Sequence, residues 1–151
     1  MQYCSLLSSR LPGCEFMNKK IWYIALVVLA SLACSIALAS LWHLFGFASP
    51  PTQSGYPFSQ YLTGCISWPF VGVFALVSIT LGWFSRSLWP VSLGMILPLP
   101  IASAIEVIQD PTSHNLIPFE VLLYWLPAFV IAFCGAYCGR QLQSRFARRT
   151  T

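Results

Sequence analysis

Four long apolar stretches, separated by short polar segments, dominate the chain. They run from about Ile21 to Phe47, Ile66 to Phe84, Leu88 to Ile105 and Phe119 to Gly139. Each is apolar on every face, whereas membrane strands alternate in segments of about ten residues. A helix rising about 1.5 Å per residue needs roughly 20 apolar residues to cross a hydrocarbon core about 30 Å thick. All four stretches come close to that length, and the first is long enough to tilt or project. The pattern predicts an all-α membrane protein, with four transmembrane helices in a compact antiparallel bundle. A tail (1–20) precedes the four-helix domain (21–139, helices about 21–47, 66–84, 88–105 and 119–139), and a basic tail (140–151) follows it.

Composition supports the same class. Hydrophobic residues make up 57% of the 151 residues and charged residues only 8%, against about 25% charged in soluble domains. The mean hydropathy is +0.71. This supply of charge cannot cover a water-facing surface, and the length leaves room for one compact unit.

The charges that remain set an orientation. The eight basic residues are Arg10, Lys19, Lys20, Arg86, Arg140, Arg145, Arg148 and Arg149. With four crossings they all fall in the N-terminal tail, the second connection and the C-terminal tail, which share one side. The other two connections, about 48–65 and 106–118, contain no Lys or Arg. Basic residues are retained in the cytoplasm, so both termini are expected inside, in a bacterial inner (plasma) membrane. Arg140, Arg145, Arg148 and Arg149 also form a juxtamembrane patch suited to anionic lipid headgroups. A topology anchor explains them equally well, and nothing points to nucleic acid.

Residues 1–16 lack the pattern of the rest. Met17-Asn18-Lys19-Lys20 has the form of a membrane protein's opening, which makes 1–16 a loose tail or an upstream extension of the reading frame. Ala37-Leu38-Ala39 resembles a signal-peptide cleavage site, but the apolar run before it is longer than an h-region and continues to Phe47. A lipoprotein reading at Cys34 is weaker still. In the 48–64 connection, Pro50, Pro51, Gly55 and Pro57 are expected to break any helix, leaving Tyr56, Phe58 and Tyr61 at headgroup level with Trp42 and Trp68. Ser85-Arg86-Ser87 predicts a tight hairpin that makes the second and third helices antiparallel neighbours. Pro98 and Pro100 predict a kink in the third helix, and Pro127 interrupts the fourth.

The six cysteines form no Cys-x-x-Cys pair, so thiol redox chemistry is not expected. Cys65 is the one placed near the outer face, where an impermeant thiol reagent should reach it. Cys134 and Cys138 share a helix face, a spacing that suits packing better than metal binding. Gly135-x-x-x-Gly139, extended by Ala128, Ala132 and Ala136, lets a neighbouring backbone approach closely. Ser31, Ser35 and Ala39 give the first helix a comparable stripe. These surfaces build either the bundle itself, a homodimer or a contact with another membrane protein.

One polar cluster stands out. Three of the four acidic residues, Glu106, Asp110 and Glu120, lie within 15 residues of one another together with His114. His43 is expected on the same outer side. Such a set suits a divalent metal at the outer face or a proton-transfer site. It equally suits turns and caps: Asp110-Pro111 begins a turn, and Glu120 falls in a helical first turn opened by Pro118. With no Lys, Arg, Asp or Glu deep in a helix, the expected function is non-enzymatic: an accessory or assembly subunit acting through helix association. A transporter or channel using the Pro-broken third helix, and a metal-dependent enzyme with an outward site, are the alternatives.

Overall fold

A computed structural model describes residues 12–48, 57–109, 119 and 121–149. Among these residues the regular structure is entirely helical. α1 spans Pro12–Leu44, α2 Pro57–Thr63, α3 Trp68–Phe84, α4 Leu88–Ile96 and α5 Pro98–Gln109. A five-residue π-helical turn, Val121–Trp125, leads into α6, Leu126–Arg149. Among the described residues, three helical stretches are long and apolar enough to cross a membrane: Asn18–Leu44, Leu88–Gln109 and Val121–Arg148. The fourth apolar helix, α3, has 17 residues, about 26 Å at 1.5 Å per residue.

Several boundaries differ from those expected. α1 starts at Pro12, because proline is pre-set for a helix's first turn and no breaker intervenes between Cys14 and Lys20. It ends at Leu44, and Gly46 turns the chain with φ of 73°, a conformation that suits glycine. The segment from Arg140 reads as a tail, but α6 continues through it to Arg149.

The third apolar stretch is divided at Leu97 into α4 and α5. Pro98 and Pro100 lack the N–H groups that would bind the carbonyls one turn back. Leu97 N–H still donates to the Leu93 carbonyl at 3.0 Å, and Ser35 Oγ of α1 donates to the Met95 carbonyl at 2.8 Å. The prolines free the Gly94 and Ile96 carbonyls, and α1 supplies a partner to the Met95 carbonyl between them. The π-helical turn ends two residues before Pro127, the other proline within an apolar stretch.

Two close helix pairs organise the core, and neither joins chain neighbours. In the first, α1 lies along α4. A Cβ on Gly94 would stand 2.5 Å from the Val28 carbonyl oxygen and 2.6 Å from Ser31 Cβ. Nearer the start of both helices, the Tyr23 hydroxyl accepts from the Arg86 N–H at 2.8 Å. In the second pair α3 lies along α6: Gly135 faces Ala75 and Ser78, and Gly139 faces Ile79 and Trp83. The matched numbering rises together in both pairs, so each pair runs parallel. The α3–α4 contact across the hairpin is minor beside them.

What lies inside and what lies outside is inverted relative to a water-soluble fold. Ser31, Ser35, Ser78, Ser92 and Ser103 are buried with Ala39, Ala102, Ala132 and Ala136. Leu38, Phe74, Val91 and Met95 complete the core, but most of the large apolar side chains point away: Trp22, Leu26, Leu29, Leu76, Trp89 and Leu122 are all exposed. Small residues bring backbones together, and the bulky ones face whatever surrounds the protein.

Candidate functional site

The site begins with α2, a helix in a segment whose Pro and Gly content argues against one. Two features explain it. Pro57 stands at its first position, where a missing N–H costs nothing. Glu106, one turn before the end of α5, reaches it from another part of the chain. The Phe58 and Ser59 N–H groups donate to Glu106 Oε1 at 2.8 and 2.7 Å, and Ser59 Oγ donates to Oε2. Glu106 is only 2% exposed. A carboxylate in this position satisfies otherwise orphaned donors of a helical first turn. Thr63 Oγ1 donates to the Ser59 carbonyl at 2.8 Å and closes the other end.

His43 holds the opposite side of the same short helix. Its ring stacks on Tyr61 with centroids 3.8 Å apart and planes 12° from parallel, and Nε2 lies 2.7 Å from the Tyr61 carbonyl oxygen. Both described members of the polar cluster, Glu106 and His43, therefore meet on α2. Asp110, His114 and Glu120 lie outside the described residues. Among the described residues no group of three or more His, Cys, Asp or Glu side chains stands in a metal-binding arrangement.

Cys65 follows α2 and sits beneath it. It is fully buried, with Sγ 3.5 Å from the Tyr61 carbonyl oxygen and 3.7 Å from that of Ala39. Burial pushes its thiol up to about 11. The expectation that a thiol reagent reaches Cys65 is therefore corrected: the group is covered, and little of it is thiolate near neutrality. Cys134 and Cys138 are exposed on α6.

Beneath α2 the structure has a cavity of about 190 Å³. Phe70 and Phe74 of α3, Met95 and Pro98 at the α4–α5 break, and Pro127 and Ala128 of α6 form much of its wall. Leu62 and Ile66 border it on the α2 side. The cavity thus gathers both proline interruptions in one place. A second apolar cavity of about 210 Å³ shares Ala39, Leu62 and Pro98 with the first and lies towards Ile101 and Ile105.

The glycines and alanines of α6 occupy the α3 interface. A Cβ on Gly135 would stand 2.8 Å from Ser78 Cβ and 3.0 Å from the Ala75 carbonyl oxygen. One on Gly139 would overlap the Ile79 carbonyl. Ala132 and Ala136 are fully buried, and Ala136 backbone lies directly against Gly82. Gly82 and Gly94 complete these contacts but carry no motif of their own in the sequence.

The described Lys19, Lys20, Arg86, Arg145 and Arg148 collect at the end away from α2. Lys19 and Lys20 lie one turn before Tyr23, which contacts the Arg86 backbone. Trp83 and Phe146 rings lie 5.4 Å apart, bringing Arg145 and Arg148 to the same level. No family model, curated protein or solved structure matches the chain.

Proposed function

We propose that this is a four-span integral membrane protein that acts by association with another membrane protein rather than by catalysis. The inverted distribution of side chains supports the membrane setting. Serines and glycines packed inside, with Leu, Ile, Phe and Trp outside, form a stable arrangement only where the surroundings are apolar. Trp22 and Trp42 are separated by about 20 residues of α1, roughly 30 Å, the thickness of the hydrocarbon core. On this reading α3 is the fourth span, and the bilayer adjusts locally to its shorter length. Consecutive spans alternate in direction, with Lys19, Lys20, Arg86 and the arginines of α6 on the cytoplasmic side of a bacterial plasma membrane. The arginines there meet anionic headgroups.

One surface observation carries the association reading. Gly135, Gly139, Ser31 and Ser35 are used within the chain itself, yet α1 keeps a second set of small residues facing out. Ala30, Ala33, Ala37 and Ser40 are all exposed and follow one face at helical spacing. A transmembrane helix of a partner protein can approach closely along that strip. The partner should co-purify stoichiometrically with the wild type in mild detergent, identified by mass spectrometry. Its yield should fall about tenfold in Ala33→Leu, at the upper end of helix-contact energies in membranes, with the thermal melt unchanged. Recovery of a second copy alone would make the strip a homodimer face. A partner retained at full yield in Ala33→Leu, or none in the wild type, would refute the reading.

The transporter alternative has support of its own in the cavity where the broken helices meet. Its walls carry no charged side chain, and ion or proton pathways usually need such groups. The cavity suits an apolar occupant.

A further inference from the structure

We infer that the cavity beneath α2 is a binding site for one acyl chain of a membrane lipid. The inference rests on the membrane setting proposed above and adds a specific ligand to it. The cavity is walled by Phe70, Phe74, Met95, Pro98, Pro127 and Ala128. Two polar side chains border it: Ser35, whose hydroxyl is committed to the Met95 carbonyl, and Tyr124, which is 36% exposed. Little in these walls can hold water in place, and cavities of about 150 Å³ with such walls stay dry and admit apolar molecules. This one has about 190 Å³.

The occupant follows from where the cavity opens. Ile66 and Leu123 border it and are also 48% and 60% exposed, so the wall continues directly into the apolar outer surface. In a bilayer that surface is covered by hydrocarbon chains. An acyl chain can therefore enter sideways without crossing water or displacing a polar group. The prolines make the space: the α4–α5 break and the π-helical turn both depart from straight helix at this level, and two helices cannot close against each other there. Leu62 covers the end nearest α2, so a chain reaches the site from the side, past Ile66 and Leu123. The lipid comes from the leaflet opposite the basic residues, since the cavity lies at the end of α1 that carries Ser35 and Ala39 rather than Lys19 and Lys20.

The test uses full-length protein in liposomes of phospholipid bearing a photoactivatable diazirine midway along one acyl chain. After illumination, adducts are mapped by mass spectrometry. The site predicts adducts concentrated on Phe70, Phe74 and Met95. Ala128→Trp, which fills the cavity, should lower them about tenfold, a change worth about 1.4 kcal/mol. Adducts on the outward-facing Leu26 and Leu29 should be unchanged in the same sample. Ile131→Phe serves as a second filling variant should Ala128→Trp not fold. Adducts on Leu26 and Leu29 but not in the cavity would overturn the lipid site and leave the membrane reading standing. Adducts at neither place, with protein recovered in the aqueous fraction, would overturn both. Cavity adducts that stay at wild-type level in both Ala128→Trp and Ile131→Phe would refute the lipid site.

Discussion

Gly139→Leu should unfold the contact between α3 and α6. A leucine there has to occupy the space of the Ile79 carbonyl and the Trp83 N–H, which belong to helix backbone and cannot swing aside. Overpacking a core typically costs about 1–3 kcal/mol when side chains can rearrange. Here the obstruction is backbone, so the expected loss is at least about 3 kcal/mol, at the upper end of that range. Gly135→Leu should follow closely, since Ser78 and Ala75 stand in its way. Val130→Leu, on the exposed face of the same helix, should stay within about 0.5 kcal/mol. Thermal melts in detergent measure the three variants side by side. Equal losses would show that the α3–α6 interface does not depend on its glycines.

Glu106→Ala should release α2, with Cys65 reporting the release. The substitution removes the acceptor of two backbone N–H groups and of the Ser59 hydroxyl. Hydrogen bonds to charged groups contribute roughly 1.5–3 kcal/mol each, so losing three of them costs about 4.5 kcal/mol or more, confined to this end of the molecule. Cys65 is covered by α2 and its thiol sits at about 11, against 9.0 for an unburied cysteine. Uncovering it lowers the pKa and raises the thiolate fraction near neutral pH by about 100-fold, two units' worth. Maleimide labelling of Cys65 should accelerate accordingly. In the wild type, labelling should rise about tenfold per pH unit below 11, because only the thiolate reacts. Glu106→Gln keeps one acceptor oxygen and should fall between the two. Unchanged Cys65 reactivity in Glu106→Ala would mean that the carboxylate does not hold α2.

These two residues illustrate how much of the molecule its sequence reveals. Gly139 announces itself through the Gly-x-x-x-Gly spacing, but its neighbours on α3 do not. The short Ser85-Arg86-Ser87 connection suggests that α3 and α4 pack together, whereas the closest contacts join helices one removed in the chain. Backbone approach at Gly82, Gly94, Gly135 and Gly139 selects those pairs, and approach is a property of two surfaces at once. The apolar stretches needed no partner to be recognised, since bilayer thickness alone sets their length.

Glu106 stands out in the sequence as a carboxyl at the end of an apolar helix, which drew it into a ligand cluster with Asp110 and His114. Its partners Phe58 and Ser59 lie 48 and 47 residues away, beyond the reach of any local pattern. The same separation hides α2: proline and glycine mark its segment as a breaker until the carboxylate that caps it is in place. His43 and Glu106 both contact α2, and the stacking of His43 on Tyr61 depends on that helix being formed. The cavity was legible only in outline, as two proline interruptions whose alignment across different helices appears in the fold.

The membrane orientation is tested most directly by two added-cysteine reporters. Cys4, Cys14, Cys34, Cys134 and Cys138 are replaced by serine, and the covered Cys65 is left in place. Gln53→Cys or Thr151→Cys is then added, and intact cells are treated with a membrane-impermeant maleimide before and after permeabilisation. Four spans with both termini inside predict that Gln53→Cys labels at once and Thr151→Cys only after permeabilisation. Labelling of Thr151→Cys in intact cells, or protection of Gln53→Cys until the membrane is opened, would contradict that topology.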